Sequence, residues 1–501
     1  MPSPKNPLLA AAIALILSGC MVGPDYHGAP QVTPAAGNFV RAAEGTGAAE
    51  PEARWWTALN DPQLDRLIDE TLAANPGVDA ARARVREARA NLRQQTATGL
   101  PSTGTTAAYL RTGNVTSFIG GGSGGSSSSG SGAAGSGGAG SGGAQSSPLQ
   151  SASGALNLYV VGFDATWELD FFGGNRRAVE GARAGVAASE AQVGDAIVSL
   201  TAEVAEAYIE LCDARQHLSL TQKNIEIESR LLDLMKARRA GGAATDLDVV
   251  RTANQLDTTR ATLPPIRATV AAQLNRLAAL TGQAPGALDA QLANAGPVPA
   301  PPAATNVGDP ASLLRRRPDI RIAERQLAQR TAAVGQSVAA QFPKVTLLGT
   351  LGFAAMHPQD LFNSGNFTYL AGPLLQWTPL DFGRNRARVA QANATRDEAE
   401  ANYRQSVLNA LADAETALAR YGQQRDEVAD LGLALASAEE AYRLTDLRLR
   451  GGTAATTDVL DADTRRNQAE WNYQQALAQL TQDYVALQKS LGLGWVEPAG
   501  K

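Results

Sequence analysis

Two cysteines and three histidines are all the thiol and imidazole that this 501-residue chain carries. Two thiols build neither a disulfide framework nor a thiolate metal cage. His27, His217 and His357 stand at no metal-ligand spacing, so no metal site is expected. Basic charge is not in excess either: 44 Lys+Arg face 49 Asp+Glu, a formal net charge of −5, which gives no footprint for nucleic acid. No run of apolar residues is long enough for a transmembrane helix, which needs about 20. No Ser/His/Asp or metal constellation occurs at a recognisable spacing, so an enzyme is not expected and no soluble cofactor is called for.

What is present begins with an address. Lys5 precedes an apolar stretch, Leu8 to Leu17, which has the length of a secretory signal core and is too short to span a bilayer. It ends in Leu17-Ser18-Gly19-Cys20, which resembles a bacterial lipobox. On that reading residues 1–19 are a signal peptide and Cys20 becomes the first residue, carrying diacylglycerol and an N-acyl chain. Each buried CH₂ of such chains contributes about 0.8 kcal/mol to anchoring. Residue 21 is Met rather than Asp, which favours the outer membrane as destination. An ordinary cleaved signal with an incidental cysteine is the plainer alternative.

The chain also repeats itself. At an offset of 210, Trp167, Phe172, Gly173 and Asn175-Arg176 meet Trp377, Phe382, Gly383 and Asn385-Arg386. The register persists through Gly241-Gly242 and Gly451-Gly452 to Gly282 and Gly492. Upstream the offset is 242, with Pro76 matching Pro318 and Leu100-Pro101 matching Phe342-Pro343. The extra 32 residues fall on a Gly/Ser tract near 119–150, whose composition buries no core and predicts a solvated loop. The chain therefore divides into an acylated segment with a first helix (20–74), repeat 1 (75–283), a Pro/Ala-rich connection (284–316), repeat 2 (317–492) and a tail (493–501).

Residues 175–240 and 385–450 contain no proline and are rich in strong helix formers. A helix of that length reaches ~100 Å, far beyond a globular domain. The glycine pairs end these helices, and shorter ones return at about 245–280 and 456–491, the first kinked at Pro264-Pro265. Helices at about 76–97 and 318–340 complete each long one, so that two short helices end to end line one long one. Between short and long helices the pattern changes to period 2. Tyr159, Val161, Phe163, Ala165 and Trp167 share one face, as do Val345, Leu347, Gly349, Leu351 and Phe353. Weaker strands are expected near 103–111 and 367–376. Ten residues suit a tilted membrane strand, although a soluble hairpin packed on helices reads the same in composition. Four strands cannot close a barrel alone, and open edges are costly in lipid, so several chains must share one; twelve strands from three chains is the smallest assembly expected to leave a lumen.

These features resemble the TolC/OprM/NodT family of outer-membrane efflux factors, in its lipoprotein branch. The matching residues are Cys20-Met21-Val22-Gly23-Pro24-Asp25-Tyr26, Trp55-Trp56, Leu277 to Gly282, Arg316-Arg317-Pro318-Asp319-Ile320 with Glu324, Phe342-Pro343 and Leu380-Asp381-Phe382-Gly383. The resemblance implies a mainly α chain with a membrane β-barrel contribution: a homotrimer with a 12-strand barrel and a 12-helix periplasmic tunnel. It implies an exit duct for drugs or other small molecules, working with a periplasmic adaptor and an inner-membrane pump of the resistance-nodulation-division type. The connection 284–316 would lie in the family's equatorial band, and the Gly/Ser tract at an extracellular loop. The alternative is a lipid-anchored coiled-coil structural protein or secretion conduit without a drug-efflux role.

The resemblance places a periplasmic gate at the two helix–helix turns. Asp458 and Asp461, three residues apart at a helix start, match aspartates that ring the tunnel entrance; Asp246 and Asp248 stand at the corresponding place in repeat 1. Acidic residues there also simply suit a helix N-terminus. Gly241, Gly242, Gly451 and Gly452 mark the tips expected to meet the adaptor. Trp167 and Trp377 suit either an aromatic girdle or packing at the helix junction, and mid-helix Cys212 reads as a small buried hydrophobe.

Overall fold

A computed structural model describes residues 21–32, 37, 39–42, 46–47, 49–112 and 156–495. The proposed signal peptide, Cys20, the Gly/Ser tract and most of the tail lie outside the described residues.

Short helices α1 (Pro62–Ala74) and α2 (Pro76–Thr98) lead to strands β1 (Ser102–Thr112) and β2 (Leu156–Leu169). Helix α3 then runs unbroken from Gly174 to Ala240, a length of ~100 Å. The return is split into α4 (Asp246–Ala261) and α5 (Leu263–Leu280), the break at Thr262 falling two residues before Pro264. A stretch carrying the short helix α6 (Pro310–Arg316) opens repeat 2, which consists of α7 (Pro318–Ala339), β3 (Lys344–Ala355), β4 (Phe367–Gln376), α8 (Arg384–Arg450) and α9 (Thr456–Ser490). The long helices α3 and α8 are both 67 residues, as the gapless 210-residue register requires.

The described residues form two compact units that cut across the repeats. The first gathers residues 94–177 and 335–388 with the N-terminal stretch to Gly23. Its sheet is antiparallel in the order β1-β2-β3-β4, with Tyr159 opposite Ala355 and Lys344 opposite Gln376. Pro373 sits in β4, an edge strand, where its missing N–H costs no ladder bond on the open side. Every residue of β4 is exposed.

The second unit holds residues 24–93, 178–334 and 389–501. Its core is a helical seam. On α8, Tyr403, Val407, Ala410, Ala414, Ala417 and Tyr421 are buried at alternating spacings of four and three, the heptad period of supercoiled helices. Ala188, Ala191, Val198, Thr201, Ala205, Tyr208 and Cys212 repeat the pattern on α3. Alanine at so many seam positions lets the backbones approach closely. Around the seam, Trp55 stands edge to face with Trp56 and with Tyr484, and Tyr484 lies tilted against Tyr421, with centroids 5.8–6.0 Å apart. The connection between the repeats is tied to α8 and α9, the Pro299 carbonyl accepting from Thr481 at 2.8 Å. Cys212 is buried, and desolvation pushes its thiol up to about 12.

Candidate functional site

The two helix turns are built alike. Gly242 and Gly452 both adopt φ +74°, the left-handed conformation that ends a helix without the strain a Cβ adds. Behind each, the next amide closes the last turn: Ala243 donates to the Arg238 carbonyl at 2.8 Å and Thr453 to that of Arg448 at 2.9 Å. The returning helices start three residues later.

The four candidate gate aspartates are each engaged within their own hairpin. The Thr245 hydroxyl accepts from the Asp248 amide at 3.2 Å, and Asp248 accepts from the Thr245 amide at 2.9 Å, a complete capping box. The Thr245 amide, and the Thr245 hydroxyl donating at 2.7 Å, hold the Asp248 carboxyl below the usual range. Asp246 pairs with Arg239 across the turn. Asp458 accepts from the Ala455 amide at 2.9 Å, but Ala455 has no side-chain acceptor to return, so the second box is half built. Asp461 pairs with Arg465 one turn along α9 at 3.1 Å, and Arg450 with Asp446 on α8 at 2.7 Å. Asp248 and Asp458 thus cap helices, whereas Asp246 and Asp461 carry exposed ion pairs that solvent screens.

Apolar side chains crowd both tips. Leu247 and Val250 are exposed on α4, and Leu444 and Leu447 on α8. The latter two, with Ala441, Thr445, Arg448 and Thr453, line an open groove.

At the other hairpins, the indole N–H of Trp167 donates to the Gly99 carbonyl at 2.9 Å and that of Trp377 to the Gln341 carbonyl at 3.1 Å. Both rings are tied to the chain just before a strand and stay partly exposed. The motif residues gain roles as well: the Tyr26 hydroxyl donates to Glu324 at 3.2 Å, and Arg317 pairs with Asp319 at 2.7 Å while donating to the Ser490 carbonyl at 2.8 Å. Sequence reasoning missed Arg177, which is buried and donates to the carbonyls of Val22 and Gly23. Its signal was legible: the repeat places Ala387 where Arg177 stands.

Residues 67–283 and 310–493 match the family described as outer membrane efflux protein. The chain belongs to that family. Nodulation protein T of Rhizobium leguminosarum bv. trifolii is 29% identical over 484 residues, covering 96% of each chain. Outer membrane protein OprJ of Pseudomonas aeruginosa is 29% identical over 501 residues, covering 99% of this chain and 98% of its own. Among solved structures, the outer-membrane channel OprN is 32% identical with a TM-score of 0.81, covering 96% of this chain and 100% of that one. VceC of Vibrio cholerae is 25% identical with a TM-score of 0.72, covering 88% and 99%. The protein is thus an outer-membrane efflux channel of the mainly α fold with a barrel-forming sheet, as the sequence implied.

Proposed function

We propose that three copies of this chain close a twelve-stranded barrel and a helical tunnel, forming a passive duct that carries drugs or other small molecules from a periplasmic adaptor and an inner-membrane resistance-nodulation-division pump to the exterior. The observation that carries this is the sheet: β1 and β4 end it as long strands, and the apolar stripe of β2 and β3, including Phe163, Trp167 and Leu351, is exposed. Unpaired edges in lipid cost several kcal/mol per backbone group, and closure with neighbouring copies removes them. An exposed membrane-length stripe also argues against a coiled-coil stalk without a transport role. The duct is supported by the names of relatives: OprJ is an outer membrane protein, OpmQ of Pseudomonas aeruginosa a pyoverdine export protein, and CusC of Escherichia coli a cation efflux system protein. Their cargoes differ, so selectivity is assigned to the pump.

Diacylglycerol and an N-acyl chain on Cys20 supply a second hold on the outer membrane. The tips at Gly241-Gly242 and Gly451-Gly452 meet the adaptor, whose helices cover Leu247, Val250, Leu444 and Leu447. Asp458 and Asp461, with Asp246 and Asp248, line the periplasmic entrance and bias it toward cations. Export of a dye from a strain deleted for this chain, with and without its restoration, tests the duct; equal export refutes it. For the gate, Asp458→Ala with Asp461→Ala is expected to change cation conductance, or its block by multivalent cations, severalfold in planar bilayers. Unchanged conductance and block would remove the gate assignment.

A further inference from the structure

Arg177 stands one turn into α3, its amide donating to the Gly173 carbonyl at 2.9 Å. The side chain is 1% exposed and reaches Val22 and Gly23. Nε donates to the Val22 carbonyl at 3.3 Å and Nη2 to the Gly23 carbonyl at 3.2 Å. The Val22 amide in turn donates to the Phe172 carbonyl at 3.2 Å. Two successive residues are thus gripped through three backbone groups, two of them by one planar fork that a lysine cannot reproduce.

Glycines clear the space. At Gly335 on α7, a Cβ would stand 2.8 Å from the Arg177 side chain. Gly23, at φ +90°, would bring a Cβ to 2.6 Å from the Gly335 Cα, and one at Gly173 would lie 2.7 Å from Met21. The second repeat serves as an internal control, since among the described residues no N-terminal segment lies against it there. At the 210 offset Arg177 becomes Ala387 and Gly173 becomes Gly383, where a Cβ would meet none of the described residues within 4 Å. At the 242 offset Gly335 becomes Arg93. Arginine and its facing glycine occur only at the junction that receives the segment.

We propose that Arg177 is the positioning residue for the mature N-terminus: it fixes residues 21–23 against the base of the hairpin sheet, so that the acyl chains on Cys20 leave the protein from one defined point. This rests on the lipid-anchor reading above. Cys20 is joined to Met21 by one peptide, which spans about 3.8 Å between Cα atoms. A cleft-bound segment converts a tethered lipid into an oriented one.

The test uses the purified, lipidated full-length protein with Val22→Cys bearing a nitroxide. Acylation blocks the Cys20 thiol, and the buried Cys212 thiol, raised to about 12, does not compete for the label. The spectrum at residue 22 should be immobilised. Arg177→Ala should speed motion there about tenfold, toward that of a free terminus. Gly335→Ala, which displaces the fork, should do the same, and Arg177→Lys should restore only part of the immobilisation. A control label at Ser364→Cys, in the loop between β3 and β4, should not change. An immobile residue 22 in both variants overturns the proposal, as does equal loosening at 22 and 364, which would make Arg177 a general prop of the junction. If Arg177→Ala fails to assemble, Gly335→Ala decides alone. The mass of the N-terminal peptide judges the anchor separately. Without acyl mass on Cys20 the claim about the lipid falls, and the clamp is then judged on the label in a Cys20→Ser background.

Discussion

The two helix hairpins of this channel share one plan and differ in how firmly they are fastened. In the first, buried Glu228 on α3 accepts from Gln255 at 3.2 Å and Thr259 at 3.0 Å on α4, tying outgoing and returning helices together. The same offsets in the second hairpin give Ala438, Arg465 and Ala469, which can make no such tie. There Arg466 instead lies over the Tyr442 ring at 4.6 Å, a looser and more exposed contact. The first tip has a complete capping box and an ion pair across its turn; the second has half a box, and its ion pairs stay within single helices. A duplication that keeps helix length to the residue has let the fastenings diverge. Length is held by the register of the whole seam, whereas a cap or a buried tie is local and can be lost alone.

The largest expected effects come from the buried tie and the caps. Glu228→Ala removes the acceptor that Gln255 and Thr259 share, leaving Thr259 only the Gln255 carbonyl at 3.2 Å, and should loosen α4 by about 1 kcal/mol in amide hydrogen exchange at residues 255–261. The second hairpin should not respond. Next, Thr245→Ala should cost the first tip about 1 kcal/mol, while Ala455→Thr, which completes the box with Asp458 already in place, should gain the second tip somewhat less. Either substitution alone should level the caps and the two together should reverse them; if the second tip still exchanges faster in the double variant, the cap is not what distinguishes them.

A smaller effect separates the long helices. Asp213 on α3, with one carboxyl oxygen buried and unpartnered among the described residues, has its pKa raised from 3.8 to about 6 by burial, with Glu210 adding to the shift. Its counterpart on α8 is Gln423. The folded chain holds the Asp213 proton more tightly, so ionisation costs stability: not at all below about 3.8, and in full above about 6. Asp213→Asn should therefore stabilise the protein at neutral pH by less than about 1 kcal/mol after solvent screening, the gain vanishing as pH falls through that window. The smallest effect is Arg239→Gln, which breaks the cross-turn pair with Asp246; at that exposure it should cost about 0.2–0.5 kcal/mol and nothing measurable in 1 M salt.

Much of this fold was legible because the helices are long and uninterrupted. The absence of proline and the glycine pairs placed the ends of α3 and α8 to within a residue, and period-2 faces gave β2 and β3. Pro264-Pro265 gave the break between α4 and α5. The weaker strands were found too, although Pro373 falls within β4: that strand is the edge of the sheet within the chain, where proline is tolerated. The candidate site was less legible. Spacing put Asp458 and Asp461 on one helix start, but whether an aspartate caps a helix or pairs with an arginine depends on distances of a few ångströms. The repeat set Arg177 apart from its counterpart Ala387, but nothing local marked it as a clamp: Val22 and Gly23 lie over 150 residues away and offer it backbone carbonyls, which leave no mark in side-chain chemistry.

Sequence alone set the lengths and ends of the helices, the faces of the strands and the duplication, since these follow from local propensity and periodicity that act over a few neighbouring residues. The tertiary structure decided which copy of each repeated position carries a burden: Arg177 rather than Ala387, Glu228 rather than Ala438. A buried charge is tolerable only where distant backbone or side-chain groups converge on it, and only the folded chain brings those groups together.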